Sequence, residues 1–378
     1  MELKVCHVTA TLDSGGIERW LLNVNNQQEE LKGVHLDFMT LLGTGGQFVA
    51  GLKAKGSCVF HVPFRWRSLF SSVALMTRYF REGKYDVVHS HLDYMSAVVF
   101  VAARLAGVPV LINHIHKTVF PEFEERSAKE RIAGRMLRLL CFWLADLHIG
   151  CSTDALKAFV GADQSKVRSI VHFCGTPLVK DIQHGETLRR SLGLQPDDQV
   201  AVHVGRHVAE KRVSLLLQAF RQISGENSRL HLVLIGMGPD SEKLKQDAGH
   251  LLGHRIHFLG YREDVQALLA VSDIFVLPSR FEGLPVSMLE AQARGLPCLV
   301  SDSVTREADV IASLIHRLPS GASVSEWANE MQRLLASRSA MDPASAYQIF
   351  EQSPFNLTRE IELLCELYVQ LVSGKSES

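Results

Sequence analysis

The sequence predicts an α/β fold built from two doubly wound, parallel-sheet domains. Short apolar runs of strand length alternate with amphipathic segments of helix length along the whole chain, the pattern that puts a crossover helix between parallel strands. Loops carrying glycine repeatedly end the strands and open the helices. With 378 residues the chain exceeds one typical core and fits two of roughly 150 to 200 residues each.

Val5 to Thr9 reads as the first buried strand. Asp13-Ser14-Gly15-Gly16-Ile17-Glu18-Arg19 breaks it, and Trp20, Leu21, Leu22 and Val24 begin a helix. At Gly15 and Gly16 a backbone can approach a ligand with no Cβ in the way. The chain has no G-x-G-x-x-G, which weakens a nicotinamide-dependent oxidoreductase as the reading of this fold. Strands are expected at His35 to Leu41, Cys58 to Val62, Asp86 to His89, Val110 to Asn113 and Leu147 to Gly150. Helices are expected at Leu69 to Arg81, Met95 to Leu105 and Glu125 to Leu144. Two histidine pairs, His89 with His91 and His114 with His116, fall at strand ends. Residues i and i+2 of an extended segment share a face, so each pair presents two imidazoles together. Neither pair has a third ligand at useful sequence spacing, and no metal is expected.

Between Glu122 and Trp143, Arg126, Lys129, Arg131, Arg135 and Arg138 interleave with Ile132, Met136, Leu139, Leu140 and Trp143. Phe64-Arg65-Trp66-Arg67-Ser68-Leu69-Phe70 is a second aromatic and basic cluster. Residues 1 to 175 hold 20 Lys plus Arg against 16 Asp plus Glu, and the remainder 20 against 25. This modest asymmetry fits a first half that touches an anionic membrane surface, or a solvated outer helix face. After the segment Val167 to Phe173, Gly175-Thr176-Pro177 and the polar stretch Lys180 to Glu186 mark a boundary. The domains are therefore expected at 1–178 and 187–355, with a final helix at 356–372 whose Ile361, Leu364, Leu367, Tyr368 and Leu371 form an apolar stripe. Gly374 to Ser378 reads as a loose tail.

In the second half, Gln199 to Val204 forms a strand that runs into Gly205, Arg206, Glu210, Lys211 and Arg212, with a helix from Val213 to Ile223. A guanidinium and an ammonium bracketing one strand end can clamp a diphosphate. Leu230 to Ile235 precedes a Gly236-Met237-Gly238 turn, and Ile256 to Gly260 ends in Tyr261-Arg262. The strand Ile274 to Leu277 leads into Ser279-Arg280-Phe281-Glu282-Gly283-Leu284-Pro285 and a helix that Gly295 and Pro297 stop. Pro285 suits the first helical position. The helix start attracts an anion at the carboxyl end of the strand. Glu282 and Glu290, eight residues apart, flank that point and can accept from hydroxyls. Phosphate and hydroxyls together describe a sugar nucleotide. Further on, Cys298 to Ser301 is expected as a strand and Val324 to Ala336 as a helix.

A net charge of −1 gives no electrostatic case for nucleic acid as a partner. The seven cysteines are scattered without a C-x-x-C and read as reduced, buried thiols of a cytoplasmic protein. No signal peptide or transmembrane run is expected, which leaves peripheral contact with the inner membrane face open.

The run from Phe281 to Pro297, with its Glu-x7-Glu spacing, resembles the donor-site signature of the retaining GT-B glycosyltransferases of family 4, including those of bacterial exopolysaccharide and capsular polysaccharide assembly. Gly15-Gly16-Ile17-Glu18 is similar to their glycine loop, and Arg206 with Lys211 to their diphosphate motif. The resemblance implies two Rossmann-like domains facing a cleft. It implies transfer of a sugar, with retention, from a nucleotide sugar to an acceptor hydroxyl on a carbohydrate or lipid-linked carbohydrate. Glu282 would hold donor hydroxyls and Glu290 the ribose, while Gly283, Leu284 and Pro285 present the helix start to phosphate. Backbone at Tyr261 and Arg262 would meet the base, with UDP and GDP left unseparated. His116, with His114 as second choice, would stand near the donor sugar. No Asp-x-Asp occurs, so leaving-group charge would be met by protein, with no cofactor. Val171 to Gly175 departs from the family by lacking Asn before Gly. A nucleotide-sugar 2-epimerase and a catalytically silent nucleotide-sugar-binding homologue remain alternatives.

Overall fold

The computed structural model describes residues 2–13, 15–42, 46–118, 127–161, 168–172, 174–178, 185–225, 227–337 and 340–376. The chain forms two compact units. One comprises residues up to Gly175 together with the chain from Leu357 onward, and the other spans Thr176–Asn356.

The first unit runs β1 (Leu3–Thr9), α1 (Gly16–Asn26), β2 (Val34–Thr40), α2 (Val49–Ala54), β3 (Val59–His61), α3 (Leu69–Gly83), β4 (Val87–Ser90), α4 (Ser96–Ala106), β5 (Val110–Ile115), α5 (Ala128–Leu144), β6 (Leu147–Gly150), α6 (Thr153–Val160) and β7 (Ser169–Val171). Its strands form one parallel sheet in the order β3-β2-β1-β4-β5-β6-β7. Helices cover both faces, so β4, β5 and β6 are buried along their whole length and read as continuous rather than alternating apolar runs. Helix α4 is apolar nearly all round because it packs beside both α3 and α5. Helix α5 opens on a capping box between Ser127 and Glu130.

The second unit runs α7 (Gly185–Ser191), β8 (Gln199–Val204), α8 (Val213–Ser224), β9 (Leu230–Ile235), α9 (Ser241–Ala248), β10 (Ile256–Gly260), α10 (Val265–Ala270), β11 (Ile274–Leu277), α11 (Val286–Ala293), β12 (Cys298–Ser301), β13 (Ile315–Leu318), α12 (Val324–Ser337) and α13 (Pro343–Glu351). The parallel sheet has the order β10-β9-β8-β11-β12-β13. Trp327 and Met331 of α12 and Leu216 and Phe220 of α8 fill its core against Leu232, Ile274 and Val276. Gly295 is required where it stands. Its φ is +74°, and a Cβ there would lie 2.3 Å from the carbonyl oxygen of Met341.

Helix α14 (Leu357–Ser376) completes the first unit and buries Ile361, Leu364, Tyr368 and Leu371. The loose tail expected from Gly374 is helical as far as Ser376, with 377–378 outside the described residues. Four further expectations need correction. Helix α1 begins at Gly16 with Gly15 as its extended cap, so the glycine pair starts the helix rather than preceding it by a loop. Pro285 caps α11, and Val286 is the first helical residue. Cys58 is exposed, whereas the other six thiols are buried. Leu367, counted in the apolar stripe of the last helix, is only half-buried. Of the sequence features, Ser14, Glu122, Glu125, Arg126, Val167, Phe173 and the stretch 180–184 lie outside the described residues.

Candidate functional site

An open parallel sheet binds ligands where its strand order reverses, because the helices on either side cross to opposite faces there and leave a crevice at the strand ends. In the second unit that point lies between β8 and β11. The loops after these two strands bring together Lys211 and Glu282. The ammonium Nζ donates to both carboxylate oxygens, at 2.6 and 2.7 Å, with the two side chains 20% and 9% exposed. One loop is drawn to the other by a backbone bond as well, Arg280 N to Glu210 O at 2.8 Å. Arg212, directly after Lys211, holds a left-handed φ of 52° and starts α8. This strained residue is fixed by its guanidinium, which donates to Ser320 O. Arg206 is exposed at the end of β8.

Gly283 and Leu284 precede the helix start, and Ser287 in its first turn ties α11 to β8 by donating to Val204 O at 3.1 Å. Glu290, on the second turn of α11, accepts from the buried hydroxyl of Thr176 at 3.1 Å. Arg262 forms a fork with Asp264 at 2.8 and 2.6 Å beside the half-buried Tyr261, and the carbonyl of Gly260 accepts from Gly236 N at 2.8 Å. Two residues went unread in the sequence. His203 on β8 is fully buried, and its Nδ1 meets the carbonyl of Val276 at 2.9 Å, which makes Nδ1 the donor and leaves Nε2 an acceptor with no partner among the described residues. Burial pushes its pKa down to about 3. Ser279 Oγ, also buried, has no partner among the described residues. The available signal was a polar residue inside each apolar strand end. A pocket of about 430 Å³ opens beside Arg212 and Arg280 but includes neither Lys211 nor Glu282; Lys243, Asp240 and Asp247 also line it, so it has mixed charge.

In the first unit the reversal lies between β1 and β4. Here the sheet register assembles what sequence spacing could not: His7 of β1 pairs across to His89 of β4, and the end of β5 supplies His114 and His116. His91 joins them through its backbone N–H to Val8 O. Two sets of three imidazoles, His7 with His89 and His91, and His91 with His114 and His116, each place one nitrogen per ring within 4.8 Å of the others. The missing third ligand of each pair is thus present, on a neighbouring strand. Burial keeps all five rings neutral: His7 and His116 are pushed down to about 3, and His89, His91 and His114 well below 6.5.

Trp20 closes over this cluster, its indole edge-on to His7, His91 and His114. Its Nε1 donates to Glu360 of α14 at 3.0 Å, and the other Glu360 oxygen meets His172 Nε2 at 2.7 Å. The glycine pair stands at the start of α1, the helix that carries Trp20. Where a Cβ would stand on Gly16 the space is open.

Two family models match the chain, "Glycosyl transferase 4-like domain" over residues 15–172 and "Glycosyl transferases group 1" over residues 185–348. The chain is 30% identical over 342 residues to EpsF of Bacillus subtilis, which carries a glycosyltransferase name, with 88% of each chain covered. It is 26% identical over 394 residues to an Escherichia coli protein named UDP-Gal:alpha-D-GlcNAc-diphosphoundecaprenol alpha-1,3-galactosyltransferase, covering 99% of this chain and 98% of that one. Among solved structures, Anabaena Alr3699/HepE in complex with UDP-glucose superposes with a TM-score of 0.78 at 19% identity over 97% of this chain and 99% of that one, which shows the shared GT-B fold.

Proposed function

The chain belongs to the group 1 glycosyltransferases, and from that premise we propose that it moves a sugar, with retention of configuration, from a nucleoside-diphosphate sugar to a hydroxyl on a lipid-linked carbohydrate. The observation that carries the donor half is the Lys211–Glu282 pair at the β8/β11 reversal. Without ligand, each charge is held against the other in a half-dry loop. A donor gives both a better partner: its diphosphate takes the ammonium of Lys211, and its sugar hydroxyls donate to Glu282. Arg206, exposed at the same strand end, adds a planar donor for phosphate. These cations and the start of α11 meet the charge that develops on the leaving diphosphate, and no metal ion is needed there. Glu290 stands on α11 to take the ribose, and backbone at Tyr261 and Arg262 to take the base. UDP is the first nucleotide to try, since the Escherichia coli relative is named for UDP-Gal and the Anabaena structure holds UDP-glucose. His116 and His114 serve the sugar near its reacting carbon.

The acceptor half rests on α5. Ile132, Met136, Leu139 and Trp143 follow at i, i+4, i+7 and i+11, which is one face of the helix, and they are 58%, 65%, 61% and 85% exposed. Arg131 and Arg135 flank them, and exposed Trp66 and Phe70 extend the apolar surface of the unit. Such a face suits the headgroup boundary of an anionic bilayer, where a lipid-linked acceptor resides. Among the described residues no helix is long and apolar enough to cross a membrane.

A thermal-shift screen of UDP, GDP, ADP and their sugar conjugates, with and without EDTA, tests the donor half. A donor at a hundred times its Kd should stabilise the protein by about 2.7 kcal/mol, and the shift should survive EDTA. Stabilisation by none of them, or a shift abolished by EDTA, overturns the reading. For the acceptor half, wild-type protein should sediment with anionic vesicles and Trp143→Ser should remain largely in solution; equal sedimentation of the two removes α5 from the membrane.

A further inference from the structure

Four buried histidines of the first unit and the half-buried His116 are joined end to end. His116 Nε2 lies 2.9 Å from His91 Nδ1, and His91 Nε2 lies 2.9 Å from His7 Nδ1. His7 Nε2 reaches the hydroxyl of Tyr368 at 3.3 Å, the same hydroxyl meets His89 Nδ1 at 2.7 Å, and His89 Nε2 lies 3.2 Å from His114 Nδ1. The path starts at His116, passes through β4, β1 and α14, and returns to His114. The two end rings stack with centroids 4.1 Å apart, and among the described residues their hydrogen-bonded connection runs through the other four groups.

A neutral imidazole has one N–H and one lone pair, so a ring with both nitrogens engaged must donate on one side and accept on the other. Burial keeps these rings neutral, as described above. The tautomers are therefore not independent. If His116 donates from Nε2, each ring in turn donates from Nε2, Tyr368 donates to His89, and His114 ends as Nε2–H. If His114 donates from Nδ1, the whole chain reverses and every ring carries its proton on Nδ1. Between directly bonded rings a mixed pattern sets two N–H groups, or two lone pairs, against each other, and across Tyr368 it leaves the hydroxyl proton or one ring nitrogen without a partner. The Tyr368 hydroxyl can donate or accept, so it serves either direction. Among the described residues the buried His114 Nε2 has no partner.

We propose that His116, His91, His7, Tyr368, His89 and His114 form a single tautomeric relay in which the five rings share one tautomer, so that the group bonded to His116 Nδ1 sets whether His114 Nε2 carries a proton. A substrate hydroxyl that donates to His116 Nδ1 thereby fixes His114 Nε2 as a donor, and a group that accepts from His116 fixes it as an acceptor. His7, His89, His91 and Tyr368 are positioning residues in this scheme. The ionisable groups around the relay are His172 and Glu360, which bind each other at 2.7 Å, and Lys117, which faces Asp93 at 3.5 Å. The use made of the relay in transfer rests on the placement of His114 and His116 at the donor sugar, whereas the relay itself is open to test with no sugar present.

Two-bond 15N–1H correlation spectra of the full-length protein, labelled at histidine, read the tautomer of each ring. In wild-type protein at pH 7.5 the five rings should share one tautomer, all Nε2–H or all Nδ1–H. A mixture of the two within the chain overturns the relay, whatever any variant does. Tyr368→Phe removes the central link and should free His89 and His114 to take a tautomer different from that of His7, His91 and His116; a variant that keeps all five locked together also overturns it. Stoichiometric zinc in the purified protein would overturn the relay too, because an ion on His91, His114 and His116 takes the lone pairs that the chain requires. A shared tautomer in a protein that binds no sugar nucleotide would leave the relay standing and remove the donor assignment alone.

Discussion

The two units use the same sheet reversal for opposite chemistry. Between β8 and β11 lies a charged pair on loops, partly wet, with an exposed arginine beside it. Between β1 and β4 lies a dry set of neutral rings on strands, closed by an indole and tied to α14. Loop charges can exchange partners when a phosphate arrives, since a lysine stem has rotamers to spare and water can follow it. Rings set on strands cannot move far, and they respond instead by moving protons. The proposed donor site would therefore reorganise charge by side-chain motion, and the proposed relay would reorganise hydrogen bonds in place.

The largest expected effect breaks the charged side of this contrast. Glu282→Ala should lower kcat/KM by about a thousandfold, close to 4 kcal/mol, with circular dichroism and the unfolding midpoint changed little. Wild-type turnover would take Glu282 out of the site.

Acid should find the dry side first. The folded pKa of His7, about 3, lies below its ordinary value of 6.5, so between these values the unfolded chain binds the extra proton. Stability from this ring is complete above pH 6.5 and is lost as pH falls toward 3, at about 1.4 kcal/mol per pH unit, or roughly 2.7 kcal/mol by pH 4.5. His89, His91 and His114 act in the same direction. Hydrogen-exchange protection factors should thus fall between pH 7 and 4.5 in β1, β4 and β5 before β12. The reverse order would contradict the account of a neutral, buried cluster.

Glu360→Ala tests how that cluster is closed. It strands the Trp20 indole N–H and His172, both buried, and should cost roughly 2 kcal/mol by denaturant titration. Glu360→Gln, which can still accept from one of them, should recover part of the loss.

The strands were legible because parallel sheets covered on both faces leave continuous apolar runs; Leu147–Gly150 was placed to the residue. The short elements α2, α6, β13 and α13 were not, since they owe their form to packing more than to pattern. At the β8/β11 reversal, Arg206, Lys211, Glu282 and Glu290 could be read because each lies in a local motif. That Lys211 grips Glu282 could not, as 71 residues separate them. The histidine cluster shows the limit best. Both pairs were visible, but His7, Tyr368 and the shared network depend on strand order and on a helix from the far end of the chain, 361 residues from His7.

The smallest effect sharpens the division of labour within the charged loop. Arg206 is exposed, so Arg206→Ala should leave stability within about 0.5 kcal/mol of wild type. Nucleotide affinity should nonetheless fall about tenfold, or 1.4 kcal/mol, and most of that loss should disappear at high salt, because an exposed cation acts through a screened field. Lys211, only a fifth exposed, lies behind less solvent, and its contribution should persist in salt. Titration of UDP into both variants at low and high ionic strength separates the two. If Arg206→Ala leaves affinity unchanged at every salt concentration, the diphosphate is held by Lys211 and the start of α11 alone, and the reorganising site is narrower than the strand end suggests.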